Sequence, residues 1–342
     1  MSDAATIIPQ MTTESAAPQS CAIHMEGWRP ELVDWLWNDA AAHSLRAAFQ
    51  DLAELLAGLV DRPGDTTLVI AVDFVEAVMR RDDSSVHYST TRGSGMVGGR
   101  TMPRKDGKTD VLIDGNWLVD RDSYGRMIPK ASGVELMRRS IQHEAQHVVM
   151  HQRGSGFEAY GREKIPGLID VHMLDFASLI LDEHRAEWGA IALSAHDYPS
   201  TYDVAEVLSA LGTQLTAIDE SYQQSQDVQA LMEGTLIACQ TFWVSLAYWA
   251  AEYRSPDSIA SLPEEILRIP LWERYVGDSW PAISDAFCRV PVADLSTKPE
   301  KFHEAARSMA AALRASLQVI GFRYVEDDAG SEFRIDRYDF IS

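Results

Sequence analysis

The chain has 342 residues, 46% of them hydrophobic and 24% charged, which suits one large folded domain or two smaller ones and excludes a chain disordered throughout. The formal net charge is −21 and no basic run occurs, so the surface repels phosphate and no nucleic-acid partner is expected. Three widely spaced cysteines, Cys21, Cys239 and Cys288, form no C-x-x-C pair. They suggest neither a disulfide framework nor a cysteine metal site, and they fit a reducing compartment.

Residues 1–27 read as a flexible tail. Its first twenty residues are rich in Ala, Thr, Ser and Pro, carry no Lys or Arg and lack the apolar core of a secretory signal. Residues 30–60 are helical by period: Leu32, Leu36, Leu45, Phe49, Leu52, Leu56 and Leu59 recur mostly at threes and fours until Pro63-Gly64. A β-rich stretch follows, with strands expected over 67–78, 86–91, 109–113 and 117–119. Gly93, Gly95, Gly98 and Gly99 mark bends, and Asp106-Gly107 and Asp114-Gly115 mark turns. These strands imply a small antiparallel or mixed sheet, with the glycines shaping an edge strand. Ser132 and Glu135 predict a capping box that opens a helix ending at Gly154. A second long helix is expected over 169–195. Further helices are expected over 203–226, 228–253, 279–288 and 299–319, and a β-hairpin closes the chain. Phe242, Trp243, Tyr248 and Trp249 cluster on one helix and read as core. The most apolar stretch, residues 231–249, is interrupted by Glu233, Gly234, Gln240 and Ser245. No membrane span is therefore expected, and a cytoplasmic location follows by elimination.

The segment that carries chemistry is His143-Glu144-Ala145-Gln146-His147, an H-E-x-x-H pattern inside the first long helix. A random sequence of this composition carries it with a probability of roughly two percent. Positions i and i+4 lie about 40° apart around a helix and about 6 Å along it, so both imidazoles can reach one ion. Glu144 then stands beside the ion's open position, where a carboxylate can act as general base.

A catalytic site of this type needs a third ligand. His151 continues the same helix face, which cannot wrap around one ion, so it is expected at the rim or the helix end. His172 stands eleven residues before Glu183, about 16 Å along a helix, and cannot share an ion with it. Glu183 and Glu187 lie at i and i+4 on the second helix. Glu183 can ligate while Glu187 accepts a hydrogen bond from a ligand imidazole; Asp182 and Glu187 are its rivals for the ligand position. For the group that stabilises a developing oxyanion, His151, Tyr160, His172 and Tyr198 are candidates by proximity in sequence.

This pattern resembles the glutamate zincins, or gluzincins, in which H-E-x-x-H is completed by E-x-x-x-D or a similar motif on a later helix. Here Glu183, Ala186 and Glu187 match, with Glu187 in place of the usual Asp or Asn. The resemblance spans residues 65–197 and is most like the ImmA/IrrE-type intracellular metallopeptidases, which cleave regulatory proteins. It implies an α+β fold: a zincin-like core over 28–198, holding a small sheet, the H-E-x-x-H helix and a second ligand helix, followed by a mainly helical region over 199–342. It also implies Zn²⁺ held by His143, His147 and Glu183, Glu144 as catalytic base, Glu187 behind a ligand, and a protein or peptide substrate. A zinc-binding regulatory protein without turnover is the alternative. Peptide could pair with the edge strand near Gly98 and Gly99.

Overall fold

In the computed structural model, which describes residues 20–82, 90–92, 95–160, 167–193, 203–255, 258–259, 262–293, 297–327 and 330–340, the chain enters the fold earlier than expected. Ala22–Glu26 form a strand, β1, rather than the end of a tail. It pairs in parallel with β2 (Thr66–Ala71), more than forty residues downstream, and its side chains are only partly buried. A short edge strand with a distant partner leaves little trace in local sequence. The single helical stretch expected over 30–60 is two helices, α1 (Pro30–Asn38) and α2 (His43–Leu59), broken at Asp39, whose carboxylate accepts from the Ala41 N–H.

The β-rich reading of 67–78 holds only for β2. Phe74–Met79 is a helix, α3, because Asp73 caps it by accepting from the Glu76 N–H. Residues 83–89, which contain most of the alternating stretch, and Gly93 lie outside the described residues. Thr91–Arg92 (β3) pairs with Gly95–Met96 (β4). β5 (Gly99–Pro103) and β6 (Thr109–Asp114) form the hairpin that Asp106-Gly107 predicts. Asp114 then caps a 3-10 turn at Gly115–Trp117, where Asp114-Gly115 marks a turn, and the strand expected over 117–119 begins only at Val119. A small hairpin, β7 (Val119–Arg121) with β8 (Met127–Pro129), follows the turn.

The main sheet has the order β1-β2-β6-β5, with β5 antiparallel on an edge and the other pairs parallel. The two central strands are buried on both faces, which is why they read as continuous apolar runs. On one face Leu68, Ile70, Val111 and Ile113 pack against Phe49, Leu52 and Leu56 of α2 and against Met137, Ile141, Ala145 and Val148 of α4 (Ala131–Gln152). On the other, Val69, Ala71 and Leu112 meet Phe74, Ala77, Val78 and Met102. α4 starts two residues too early for the expected capping box: its N-cap is Lys130 and no side chain caps it, so Ser132 lies inside the first turn.

After α5 (Leu168–Leu193) come α6 (Val204–Ser225) and α7 (Val228–Glu252), both close to expectation. Arg254–Ser255 (β9) and Ser258–Ile259 (β10) pair briefly. Two short helices that the pattern did not reveal, α8 (Glu264–Leu267) and α9 (Pro270–Trp272), lead through a π-helical turn at Glu273–Gly277. Helices α10 (Trp280–Cys288) and α11 (Pro299–Ile320) and the expected hairpin, β11 (Phe322–Asp327) with β12 (Gly330–Ile335), complete the described chain. Their common core is built around Trp243, Trp249, Phe287, Phe302 and Leu313. α7 is long and apolar enough to cross a membrane by length and composition, yet 56% of its most apolar window is buried inside this core. The architecture is thus α+β: a small mixed sheet followed by a mainly helical C-terminal region. The hairpin also holds the ligand-bearing helix, since the Glu326 carboxylate accepts from the Leu168 and Ile169 N–H groups at the start of α5.

Candidate metal centre

The apolar residues of α4 face the sheet, so His143 and His147 are carried on the flank that meets α5. α5 answers with small residues at the crossing. A Cβ on Gly189 would stand 2.5 Å from Gln146 Oε1 and 3.0 Å from its Cγ, so only glycine lets the helices approach this closely. The approach brings the two imidazoles and one carboxylate together. His143 Nε2 is 3.2 Å from His147 Nε2 and 3.3 Å from Glu183 Oε2, and His147 Nε2 is 3.6 Å from the same oxygen. In a tetrahedral site with bonds of about 2.0–2.1 Å, neighbouring ligand atoms are about 3.3 Å apart. The triangle therefore has the dimensions and the donor set of a three-ligand metal site, and His143, His147 and Glu183 can hold an ion.

The surroundings orient these ligands. His143 Nδ1 bonds Glu187 Oε2 at 2.9 Å, which leaves Nε2 free to ligate, and Arg139 donates to the other Glu187 oxygen at 3.0 Å. Burial works against the charged form of His143, but Glu183 and Glu187 outweigh it and hold its pKa well above the ordinary value. The same burial opposes ionisation of Glu183, and the two imidazoles overcome it, so its carboxyl stays well below the usual range. Glu187 is lowered likewise, burial being outweighed by His143 and Arg139.

Glu144 points to the other side, towards the edge strand. Thr101 Oγ lies 2.7 Å from Glu144 Oε2 and 3.0 Å from the Glu144 carbonyl oxygen. Gly99 packs against the same side chain: a Cβ there would come within 3.1 Å of Glu144 Cγ and 3.3 Å of Oε1. Glu144, His147 and Glu183 line a cleft of about 890 Å³. Gly99, Thr101 and Pro103 of β5 form one wall and Ile218, Ile237 and Val244 of α6 and α7 the other.

No family model, curated protein or solved structure matches the chain. What the site can do therefore rests on its own geometry.

All the predicted ligands come together, with Glu144 and Glu187 in contact with them or beside them. The rivals fall away. Asp182 accepts from Tyr160 and Arg185, and burial lifts its carboxyl to about 6 despite Arg185 and His147. Among the candidates for the oxyanion, Tyr160 is occupied by Asp182, and His172 packs near Tyr324. Tyr198 lies outside the described residues. His151 lines the cleft.

Tyr248 is the correction. Expected in the core, it lines the cleft instead, and its hydroxyl donates to Glu183 Oε2 at 2.5 Å while its ring stands edge-on to His143. The helical period places it four residues after Val244, another cleft residue, but nothing in the sequence says that this stripe of α7 faces a site. Phe242, Trp243 and Trp249 are core, as expected.

Proposed function

We propose that this protein is a zinc-dependent hydrolase, and specifically a peptidase. The observation that carries the reading is the His143–His147–Glu183 triangle with Glu144 at the floor of one open cleft. Two further features support a zincin-like core and the likeness to gluzincins. The H-E-x-x-H helix packs on a mixed sheet and crosses the second ligand helix, and the antiparallel edge strand β5 runs beside it. Among the described residues the outer edge of β5 has no strand partner in the sheet, so an extended peptide could add to it along the cleft.

His143, His147 and Glu183 would hold the ion. When bound, zinc supplies Lewis acidity that polarises a carbonyl and lowers the pKa of water towards about 7. Glu144 takes a proton from the attacking water as its oxygen adds to the carbonyl carbon. It then gives that proton to the amide nitrogen as the carbon–nitrogen bond breaks. Thr101 and Gly99 fix the position of this carboxylate from the strand side. Glu187, held by Arg139, keeps the proton of His143 on Nδ1. Tyr248 offers a hydroxyl donor on the helical side of the cleft.

Elemental analysis of the purified protein, beside His147→Ala and Glu144→Gln variants, tests the reading. Stoichiometric zinc is expected in the protein and in Glu144→Gln, with loss in His147→Ala. Hydrolysis of a peptide library should fall by about 10²–10⁴-fold in Glu144→Gln. Absence of metal from the unaltered protein overturns the proposal. Zinc without hydrolysis of any peptide leaves a binding protein instead of a peptidase.

A further inference from the structure

Two arginines lie together behind the cleft wall, and together they have too few acceptors. Arg185 of α5 is fully buried. Its Nε donates to the Pro291 carbonyl at 3.1 Å, and its Nη1 to the Ser155 carbonyl at 2.6 Å and to Asp182 at 2.9 Å. Its Nη2 is buried with no partner. Arg254, the first residue of β9 just after α7, donates to the Val290 carbonyl and lies over the Trp188 ring at 3.7 Å. Its Nε and Nη1 are also buried without a partner. The two guanidinium groups thus hold consecutive carbonyls, those of Val290 and Pro291, and must lie side by side.

The charge balance of this cluster is unusual for a protein of net charge −21. Asp182 is the one carboxylate that bonds either arginine among the described residues. Among the described residues no carboxylate bonds Arg254, and burial together with Arg185 lowers its pKa to about 10 despite Cys288. Ser155 Oγ, another buried donor, is unpartnered beside them. His184 supplies no compensating charge: its Nδ1 bonds the Ala247 carbonyl, and its ring stacks on Phe287. Burying unpaired cationic donors is strongly unfavourable unless an acceptor of negative charge fills the gap.

We infer that Arg185 and Arg254 form a buried anion site that takes a small monovalent inorganic anion such as chloride. Arg185 Nη2, Arg254 Nε and Nη1, and Ser155 Oγ are its donors. Full burial of Arg185 favours a small occupant over a peptide carboxylate. The anion would tie α5, β9 and the segment after α10 into one unit, next to the turn of α5 that carries Glu183. The inference does not rest on the metal reading, and its test uses neither metal content nor hydrolysis.

Crystals of the protein soaked in bromide provide the deciding measurement. An anomalous peak within hydrogen-bond reach of Arg185 Nη2 and Arg254 Nε is expected, and an ordered water there with no anomalous signal overturns the site. Thermal unfolding in chloride, with gluconate keeping ionic strength constant, gives a second reading. The midpoint should rise by about 2 °C per tenfold increase in chloride beyond half-saturation. It should not respond in Arg254→Met, which keeps the packing stem and removes the donors. An equal response in that variant overturns the proposal.

Discussion

The hydroxyl of Tyr248 bonds a ligand oxygen of Glu183, and it does so from the wall of the cleft in which a scissile carbonyl would have to lie. Two roles are open to such a group. It can steady the carboxylate ligand, or it can swing its donor to the oxygen on which negative charge develops. The two roles separate in a Tyr248→Phe variant, because the ring is kept and only the donor is lost. If the hydroxyl serves the transition state, kcat should fall by about 10²-fold or more while KM and bound metal stay near the unaltered values. If it only steadies Glu183, metal affinity should fall first and activity should return when metal is supplied in excess. We expect the former, since in the metal-loaded site the ion itself holds Glu183, while the hydroxyl stands in the wall of the cleft. Steady-state kinetics on metal-saturated protein, with metal content measured in parallel, checks the outcome.

At the scale of elements, the crossing of α4 and α5 sets the site. Gly189→Ala adds a methyl group where Gln146, itself buried, already fills the space. Alanine gains up to about 1 kcal/mol over glycine within a helix, but overpacking of a close crossing costs about 1–3 kcal/mol. The net should be destabilising by about 1 kcal/mol. The wider separation of the ligand helices should also weaken metal binding by more than the stability change alone accounts for. Denaturant unfolding and a competitive chelator titration measure the two. Both helices were legible in the sequence, since a period of 3.6 survives wherever one face packs, and His143, His147, Glu183 and Glu187 could be placed on facing flanks from spacing alone. The capping box at Ser132 misled because the same motif is compatible with a helix that starts two residues earlier. β1 was illegible because its register is set by a strand with which it shares no local pattern. Tyr248 was illegible for a related reason. It lies 65 residues beyond Glu183 on a helix apolar nearly all round, and only the packing of α7 on α5 shows which stripe faces the site.

For the molecule as a whole, the balance of charge decides how it meets acid. With a net charge of −21 at neutral pH and a sequence pI near 4.8, repulsion among carboxylates relaxes as pH falls, which by itself favours the compact state. Opposing this are carboxylates whose ionised form the fold holds. Glu26, at the end of β1, takes a two-pronged contact from Arg81, at 2.7 and 3.0 Å, and another from Arg80 at 2.8 Å, while Arg81 also bonds Asp110 of β6 at 2.8 Å. Burial pushes the Glu26 carboxyl up, but Arg81 and Arg80 outweigh it and the pKa falls below the ordinary 4.5. A carboxyl lowered by folding contributes stability that is complete above its unfolded value of 4.5 and is lost as pH drops through the folded value. Glu26→Gln should therefore cost about 1–2 kcal/mol at neutral pH, the range for a charge-assisted, partly buried pair. The difference between the two proteins should stay constant down to about pH 5 and shrink below it. Urea unfolding of both proteins across this range tests the sign: a difference that grows in acid would mean that the pair does not hold β1 to the rest of the sheet in the ionised form.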